Sequence, residues 1–187
     1  MRRAHPMPAG LRPMKAPTTS CDPDALTYPR YASPKIDGFR AMGVGDEVLT
    51  SSLDRFRNAH LGSVLRHPGL HGLDGELVVG EPHGHDVHRR TSSGITTAAG
   101  EPDFTLWLFD DFSREAPFER RMRNLPMRTR ELPAAVRCRV QLVPHHLVES
   151  ASELRELEAA WVAQGYEGAM VRDPAGPYKY GRCTMAQ

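Results

Sequence analysis

The chain has 187 residues, enough for one domain with a real core, or for one domain plus a short tail. Its formal net charge of +1 argues against a basic nucleic-acid coat protein. No apolar run approaches the ~20 residues of a membrane span, and no apolar stretch follows Met1-Arg2-Arg3 to make a secretory signal. Cys21, Cys138 and Cys183 are too widely spaced for a C-x-x-C pair or a disulfide framework, so a reducing cytoplasm is the expected setting.

Residues 1–25 are rich in Pro, Arg, Met and Thr and lack periodicity. They read as an extended lead-in, with Leu11 to Pro17 lying against a body that runs over residues 26–187. Leu26 to Tyr31 enters a first strand, and Pro29 and Pro34 bracket it, which predicts an edge or irregular strand. Gly38 turns the chain into a strand over Phe39–Val44, and Gly45-Asp46 makes a hairpin to Glu47–Ser51. Asn58 is placed to cap a helix over Ala59–Arg66, stopped by Pro68-Gly69. Leu73 to Val79 reads as a strand flanked by glycines and carrying two carboxylates. Glu81 to Gly100 is expected to be a long loop or a helix-containing excursion.

Phe104–Phe109 is a nearly continuous apolar strand, expected to be central and buried. Arg114 to Arg130 reads as a helix interrupted near Pro126. The eight arginines from Arg114 to Arg139 are read as a solvated helix face, with a basic patch as the alternative. Val136–Val143 alternates and predicts a strand. Ser150 to Gln164 is a helix with a capping box at Ser150 and Glu153, an apolar face of Leu154, Leu157 and Trp161, and Gly165 as its stop. Tyr166 to Arg172 is a last strand. Long strands, few helices and no regular βαβ alternation predict an α+β domain with antiparallel sheets flanked by helices.

Of 24 basic residues only Lys15, Lys35 and Lys179 are lysines. Arginine stays charged at any workable pH, whereas a lysine amine can lose its proton and attack. Lys35 stands in Ser33-Pro34-Lys35-Ile36-Asp37-Gly38-Phe39-Arg40, beside a glycine and close to Asp37 and Arg40. The same pairing of a charged group with glycine recurs at Asp74-Gly75-Glu76 and Glu167-Gly168. Glycine admits a ligand close to the backbone, and a strand holds its neighbour rigidly. A lysine with well-separated carboxylates suits attack on phosphorus, with the carboxylates holding a divalent metal and a ribose. The amine, with an ordinary pKa of ~10.4, needs desolvation or a nearby cation to reach ~7–8. His83, His85, His88 and Asp86 have spacings that invite a metal reading but lie in a glycine-rich loop, and they are read as solvated. No G-x-x-x-x-G-K-[ST] pattern occurs, so a P-loop is excluded.

Lys35–Arg40 resembles motif I, the KxDGxR pattern of covalent nucleotidyltransferases: DNA ligases, RNA ligases and capping enzymes. Leu73–Val79 is similar to motif III, Phe104–Asp110 to motif IIIa, and Glu167–Arg172 to motif IV. Thr91-Ser92-Ser93-Gly94-Ile95 and Gly176–Arg182 look most like ATP-dependent DNA ligases of bacteriophage type. The resemblance spans residues 11–184 and implies the family's ATP-grasp-like nucleotidyltransferase domain, acting in DNA repair, replication and recombination. It implies that Lys35 is the residue adenylated by ATP. Ser33, Pro34 and Ile36 would line the adenine pocket, and Phe109 would stack on the base. Arg40 would contact the sugar or phosphate, Glu76 the ribose or the metal, and Glu167 the metal, Mg2+ or Mn2+. The implied partner is nicked double-stranded DNA.

Two departures shape the expectations. Ser51 stands where the family's motif Ia carries an arginine, and Arg55 or Arg57 are the available substitutes. Motif V and the oligonucleotide-binding-fold domain lie outside the sequence, with Lys179 in the loop before motif V. The expected form is therefore an adenylation domain incomplete at its carboxy terminus. The alternatives are a non-catalytic remnant, half of a split ligase completed by a separate chain, or an RNA ligase or capping-type enzyme.

Overall fold

A computed structural model describes residues 10–17 and 21–183. Strand β1 (Met14–Lys15) belongs to the lead-in, and β2 (Arg30–Lys35) carries the lysine motif. Strands β3 (Phe39–Val44) and β4 (Glu47–Thr50) form the expected hairpin, followed by helix α1 (Ala59–Val64) and strand β5 (Leu73–Val79). Then come α2 (Val87–Thr96), β6 (Phe104–Asp111), α3 (Phe118–Arg130), α4 (Ala134–Arg137), β7 (Val140–Leu142), β8 (His146–Val148), α5 (Ala151–Ala163), β9 (Gly168–Arg172) and β10 (Gly181–Arg182). The described strands make three sheets: a five-stranded one ordered β4-β3-β5-β6-β7, a three-stranded one ordered β8-β2-β9, and the pair β1-β10. Pairing is antiparallel except at β6-β7 and β1-β10, which are parallel.

The main core lies on one face of the five-stranded sheet. Leu73 and Leu77 of β5 and Phe104, Leu106 and Leu108 of β6 pack there with Leu61, Leu65, Ile95 and Leu125 from the helices. The period of two along each strand sends Asp74 and Glu76 to the opposite face. A second cluster joins Ala32 and Val148 to Leu154 and Trp161 of α5 under the three-stranded sheet. The lead-in contributes to a third, where Leu11 meets Met42, Val44, Leu49 and Phe112.

Capping followed the sequence closely. The Asn58 side chain accepts from the Leu61 amide at 2.9 Å and caps α1. Ser150 accepts from the Glu153 amide at 3.2 Å, while the Glu153 carboxylate accepts from the Glu149 amide, one residue outside the standard box. Gly165 follows α5 with a φ of 93°, the left-handed turn that ends a helix.

Four expectations are corrected. The first strand is neither at an edge nor bounded by prolines: β2 starts at Arg30, contains Pro34 and lies between β8 and β9. Pro34 is accommodated because β8 pairs only with Arg30 to Ala32, so no partner faces the missing N–H. The arginine-rich helix is not simply a solvated face. Arg121 is 1% exposed and bonds Asp110, and Arg128 bonds Asp111 at 2.8 Å, while Arg120, Arg123 and Arg130 do face solvent. Pro126 lies within α3 without ending it. Finally, Val136 belongs to α4, whose first turn follows Pro133, so the strand is confined to Val140–Leu142.

Candidate active site

The lysine motif crosses from one sheet to the other. Lys35 is the last residue of β2 in the three-stranded sheet, and Arg40 is the second residue of β3 in the five-stranded sheet. Gly38 makes this crossing possible. A Cβ there would stand 2.4 Å from the Leu77 carbonyl oxygen and 2.9 Å from Glu76 Cγ. The pairing registers then set the neighbours: Lys35 lies opposite Gly168, next to Glu167, and Arg40 lies opposite Glu76. The Glu167 amide donates to the Lys35 carbonyl at 3.1 Å, which locks the two ends together.

Phe109 arrives by a different device. The β5–β6 register pairs Asp74 with Asp110 and Gly75 with Leu108, leaving Phe109 as the extra residue of a bulge. A bulge bends its strand and re-aims a side chain. Leu108 stays in the core, and Phe109 turns to the face that carries Glu76.

These elements enclose a cavity of about 290 Å³. Ser33, Pro34, Lys35, Ile36, Arg40, Glu76, Phe109 and Glu167, the whole set of candidates from the sequence, line it together. So do residues with no role assigned from the sequence: Lys15 and Ala16 of the lead-in, Asp37, and Arg172. Arg172 stood in the last quoted motif. Lys15 carried a signal only through lysine's rarity in this chain.

Inside the cavity Lys35 Nζ donates to Glu167 Oε1, both side chains being partly open to solvent. Glu76 takes no hydrogen bond from the described residues. Burial pushes its carboxyl up to about 8; Arg40 opposes the shift, and Asp74 and Asp37 add to it. Arg40 is held on two sides. Its Nε and Nη2 donate to Asp74 at 2.6 and 2.5 Å, and Nη2 also donates to the Met14 carbonyl at 3.0 Å. Burial works against the guanidinium charge, but Asp74 outweighs it and raises the pKa. Asp74 also accepts from the Tyr178 hydroxyl at 2.6 Å, so this network ties the lead-in and the carboxy-terminal loop to the site. Of the Arg40 nitrogens, Nη1 remains without a hydrogen bond among the described residues and is the one available to a ligand.

The Phe109 ring is flanked by cations. The Arg40 guanidinium sits 4.5 Å from its centroid and that of Arg172 at 5.5 Å. Arg172 in turn donates to Asp110 Oδ2 at 3.3 Å. Behind it, His145 is held neutral: burial and the Arg172 charge push its pKa down to about 4. Nδ1 of His145 lies 2.9 Å from the Val143 carbonyl, while Nε2 is buried with no partner among the described residues.

No three His, Cys, Asp or Glu side chains among the described residues converge on one metal-sized point. The cavity nevertheless suits a hard divalent cation. Glu76 and Glu167 supply carboxylate oxygens, and Glu76 is buried without a hydrogen-bonded cation to offset its charge. A bound phosphate would complete such a coordination shell. The histidine loop has other employment: His88 stacks on Phe39 at 4.7 Å, His83 meets Tyr166 at 5.5 Å, and Asp86 bonds Arg89 and Arg90. The segment Thr91–Ile95 is structural too, since Thr91 Oγ1 accepts from the Val79 amide at 3.1 Å and fastens α2 to β5. Arg55, a candidate substitute for the arginine absent at Ser51, is engaged by Glu47 at 2.9 Å on the exposed side of the β3–β4 hairpin.

Two sheets with this lysine crossing between them make the nucleotidyltransferase fold of ATP-dependent DNA ligase adenylation domains, and solved structures of such enzymes superimpose on it. The Chlorella virus DNA ligase-adenylate matches with a TM-score of 0.76 and 27% identity, over 92% of this chain and 64% of that one. A second crystal structure of that ligase-adenylate gives 0.78 and 25%, over 93% and 63%. The ATP-dependent DNA ligase of bacteriophage T7 in complex with ATP gives 0.68 and 18%, over 92% and 66%. The chain thus spans somewhat under two thirds of the length of the ligases it resembles. No protein-family model and no curated protein sequence matches it.

Proposed function

We propose that this chain is the nucleotide-charging part of an ATP-dependent DNA ligase. The observation that carries the reading is the meeting of Lys35, Glu167, Glu76, Arg40 and Phe109 on one cavity. In the proposed first step the unprotonated Lys35 Nζ attacks the α-phosphorus of ATP. A nitrogen–phosphorus bond forms, the bond to pyrophosphate breaks, the nitrogen gives up a proton to solvent, and AMP remains on the lysine. Glu167 orients the amine through its hydrogen bond. Phe109 offers a flat apolar face to adenine, as aromatic rings do to bases. Ser33, Pro34 and Ile36 border the base, Arg40 reaches the sugar or phosphate, and Glu76 faces the ribose. A divalent cation, Mg2+ or Mn2+, held by Glu76 and Glu167, would neutralise phosphate charge.

The later steps belong to the same reading: AMP passes to a 5′-phosphate at a nick in duplex DNA, and the 3′-hydroxyl displaces it to seal the strand. This assigns the chain to DNA replication, repair or recombination in a cytoplasmic setting. Among the described residues no helix is long and apolar enough to cross a membrane. Incubation with ATP labelled at the α-phosphate and Mg2+, followed by denaturing electrophoresis, tests the first step. Label is expected on the wild type, lost on treatment with pyrophosphate, and absent from Lys35→Ala. Equal labelling of Lys35→Ala would overturn the assignment.

A further inference from the structure

We propose that Tyr178 is a positioning residue of the nucleotide site, fixing Arg40 through Asp74 and holding the lead-in against the cavity. Its hydroxyl donates to Asp74 Oδ2 at 2.6 Å and accepts from the Met14 amide at 3.1 Å. The Met14 carbonyl accepts from Arg40 Nη2 at 3.0 Å, and Arg40 Nε and Nη2 donate to Asp74. Tyr178, Asp74, Arg40 and Met14 therefore close a ring of hydrogen bonds. Its members come from the loop before β10, from β5, from β3 and from β1, so no two of them are neighbours in the chain. That the ligand is a nucleotide rests on the ligase reading; the ring itself does not.

The strand register gives Met14 its two roles. In the parallel β1–β10 pair Met14 lies opposite Gly181 and Lys15 opposite Arg182. The Pro13 and Lys15 carbonyls turn to β10, where they accept from the Gly181 and Cys183 amides at 3.3 and 2.8 Å. Successive residues of a strand present their backbone groups to opposite edges, so the Met14 amide and carbonyl turn the other way, to Tyr178 and Arg40. The Tyr178 ring is held as firmly. Phe112 and Tyr180 lie against it with centroids 5.5 and 5.6 Å away, and the buried Arg121 guanidinium sits 5.7 Å from its centroid. Burial and the Asp74 charge push the hydroxyl pKa up, so it stays a donor.

A guanidinium is a rigid plane, so fixing Nε and Nη2 also fixes the direction of Nη1, the nitrogen left for a ligand. Asp74 is fully buried, and the oxygen that accepts from Arg40 Nη2 is the one that accepts from Tyr178. Without the hydroxyl this carboxylate loses a donor, its orientation relaxes, and Arg40 relaxes with it. Lys15 and Ala16, the residues after Met14, line the cavity around Lys35. Loss of the hydroxyl also releases the Met14 amide and loosens that wall. A tyrosine with only a structural role would change stability alone; this one is placed to change the affinity of the folded protein for a nucleotide.

The test compares the wild type with Tyr178→Phe, which keeps the ring and removes only the hydroxyl, and with Tyr180→Phe, a neighbouring tyrosine that does not line the cavity. All three are measured at a temperature where urea unfolding shows them folded. Calorimetry with Mg2+ and an ATP analogue bridged by methylene between the α- and β-phosphorus, which cannot react, reads binding. Labelling of Lys35 over a range of ATP concentrations reads the half-saturating concentration and the maximal rate, and trypsin reads cleavage after Lys15. Tyr178→Phe is expected to bind the analogue about tenfold more weakly, and to raise the half-saturating concentration equally while the maximal rate stays within about twofold. It is also expected to be cut after Lys15 faster than the wild type, and Tyr180→Phe to match the wild type throughout. An unchanged affinity in Tyr178→Phe, whatever its urea midpoint, would overturn the proposal, and so would a lower maximal rate at unchanged half-saturation. Unchanged cleavage after Lys15 would overturn its lead-in half. A wild type that binds the analogue but never labels Lys35 counts against the ligase reading alone, because calorimetry and proteolysis need no chemistry; one that binds no analogue would overturn both.

Discussion

Asp110 supports two guanidinium groups in the interior. Arg121 donates to its Oδ1 at 2.8 Å and to its Oδ2 at 3.1 Å, and Arg172 donates to Oδ2 at 3.3 Å. Arg121 Nη1 also donates to the Ala116 and Gly176 carbonyls, so four of its five N–H donors are engaged. Removing the carboxylate leaves buried charge uncompensated, and that is where buried ion pairs become costly. Asp110→Ala is expected to lower stability by about 3–5 kcal/mol in urea unfolding, more than any single surface ion-pair deletion. His145 gives the pH dependence. Its folded pKa of about 4 lies below the ordinary 6.5, so the folded state favours the neutral ring. The unfolded chain then binds more protons between those values, and stability falls as pH drops from 6.5 towards 4. After allowance for partial solvation the loss is on the order of 2 kcal/mol. His145→Gln, measured by urea midpoint from pH 4 to 7, is expected to flatten that limb; an unchanged slope would assign the acid sensitivity elsewhere.

The elements show which local signals were sufficient. Asn58, Ser150 and Gly165 marked helix ends because capping is a contest between a side chain and its own neighbouring backbone. Asn58 does more than cap. It is 1% exposed, and its Nδ2 donates to the Thr97 carbonyl at 3.0 Å, with longer contacts to Ala99 and Gly100. One residue therefore ties α1 to the segment after α2. Asn58→Ala is expected to cost about 2–3 kcal/mol, above the ~1 kcal/mol of an ordinary cap, because carbonyls lose a donor as well. Thermal melting against Ser150→Ala, an exposed cap, makes the comparison. Signals that depend on a partner were not legible. Pro34 looked like an edge marker, but what decides its place is how far β8 extends. The bulge at Phe109 depends on the register between β5 and β6, which no periodicity in either strand records. The arginines of α3 looked solvated because their acceptors, Asp110 and Asp111, are on another strand.

At the scale of the molecule, the candidate site depends on how two sheets meet. Lys35 comes from the three-stranded sheet and Glu167 from the residue just before its strand β9, while Glu76, Arg40 and Phe109 come from the five-stranded sheet. Gly38 lies between them with no room for a methyl group. Gly38→Ala is expected to cost about 2 kcal/mol through overpacking and to reduce the proposed formation of lysyl-AMP about a hundredfold, since small misplacements of reacting groups are costly. Labelling at a temperature where the variant is still folded separates the two effects. The lead-in belongs to the same assembly, because the Met14 carbonyl holds Arg40 and Leu11 packs against Met42. Its low periodicity concealed this, as a segment without its own core shows its role only against the surface it covers. The sequence alone determined the chemical types at the site, the order of the motifs, the strand that carries Glu76, and the helix ends marked by Asn58, Ser150 and Gly165. Those features follow from covalent identity and near-neighbour backbone preferences. Tertiary structure decided that Arg40 is anchored by Asp74 and Tyr178, that Phe109 is turned to the cavity, that Arg172 joins it, and that Lys15 and Arg182 face each other. These depend on contacts between residues far apart in the chain, where register and sheet packing, not local preference, set the distance between charges.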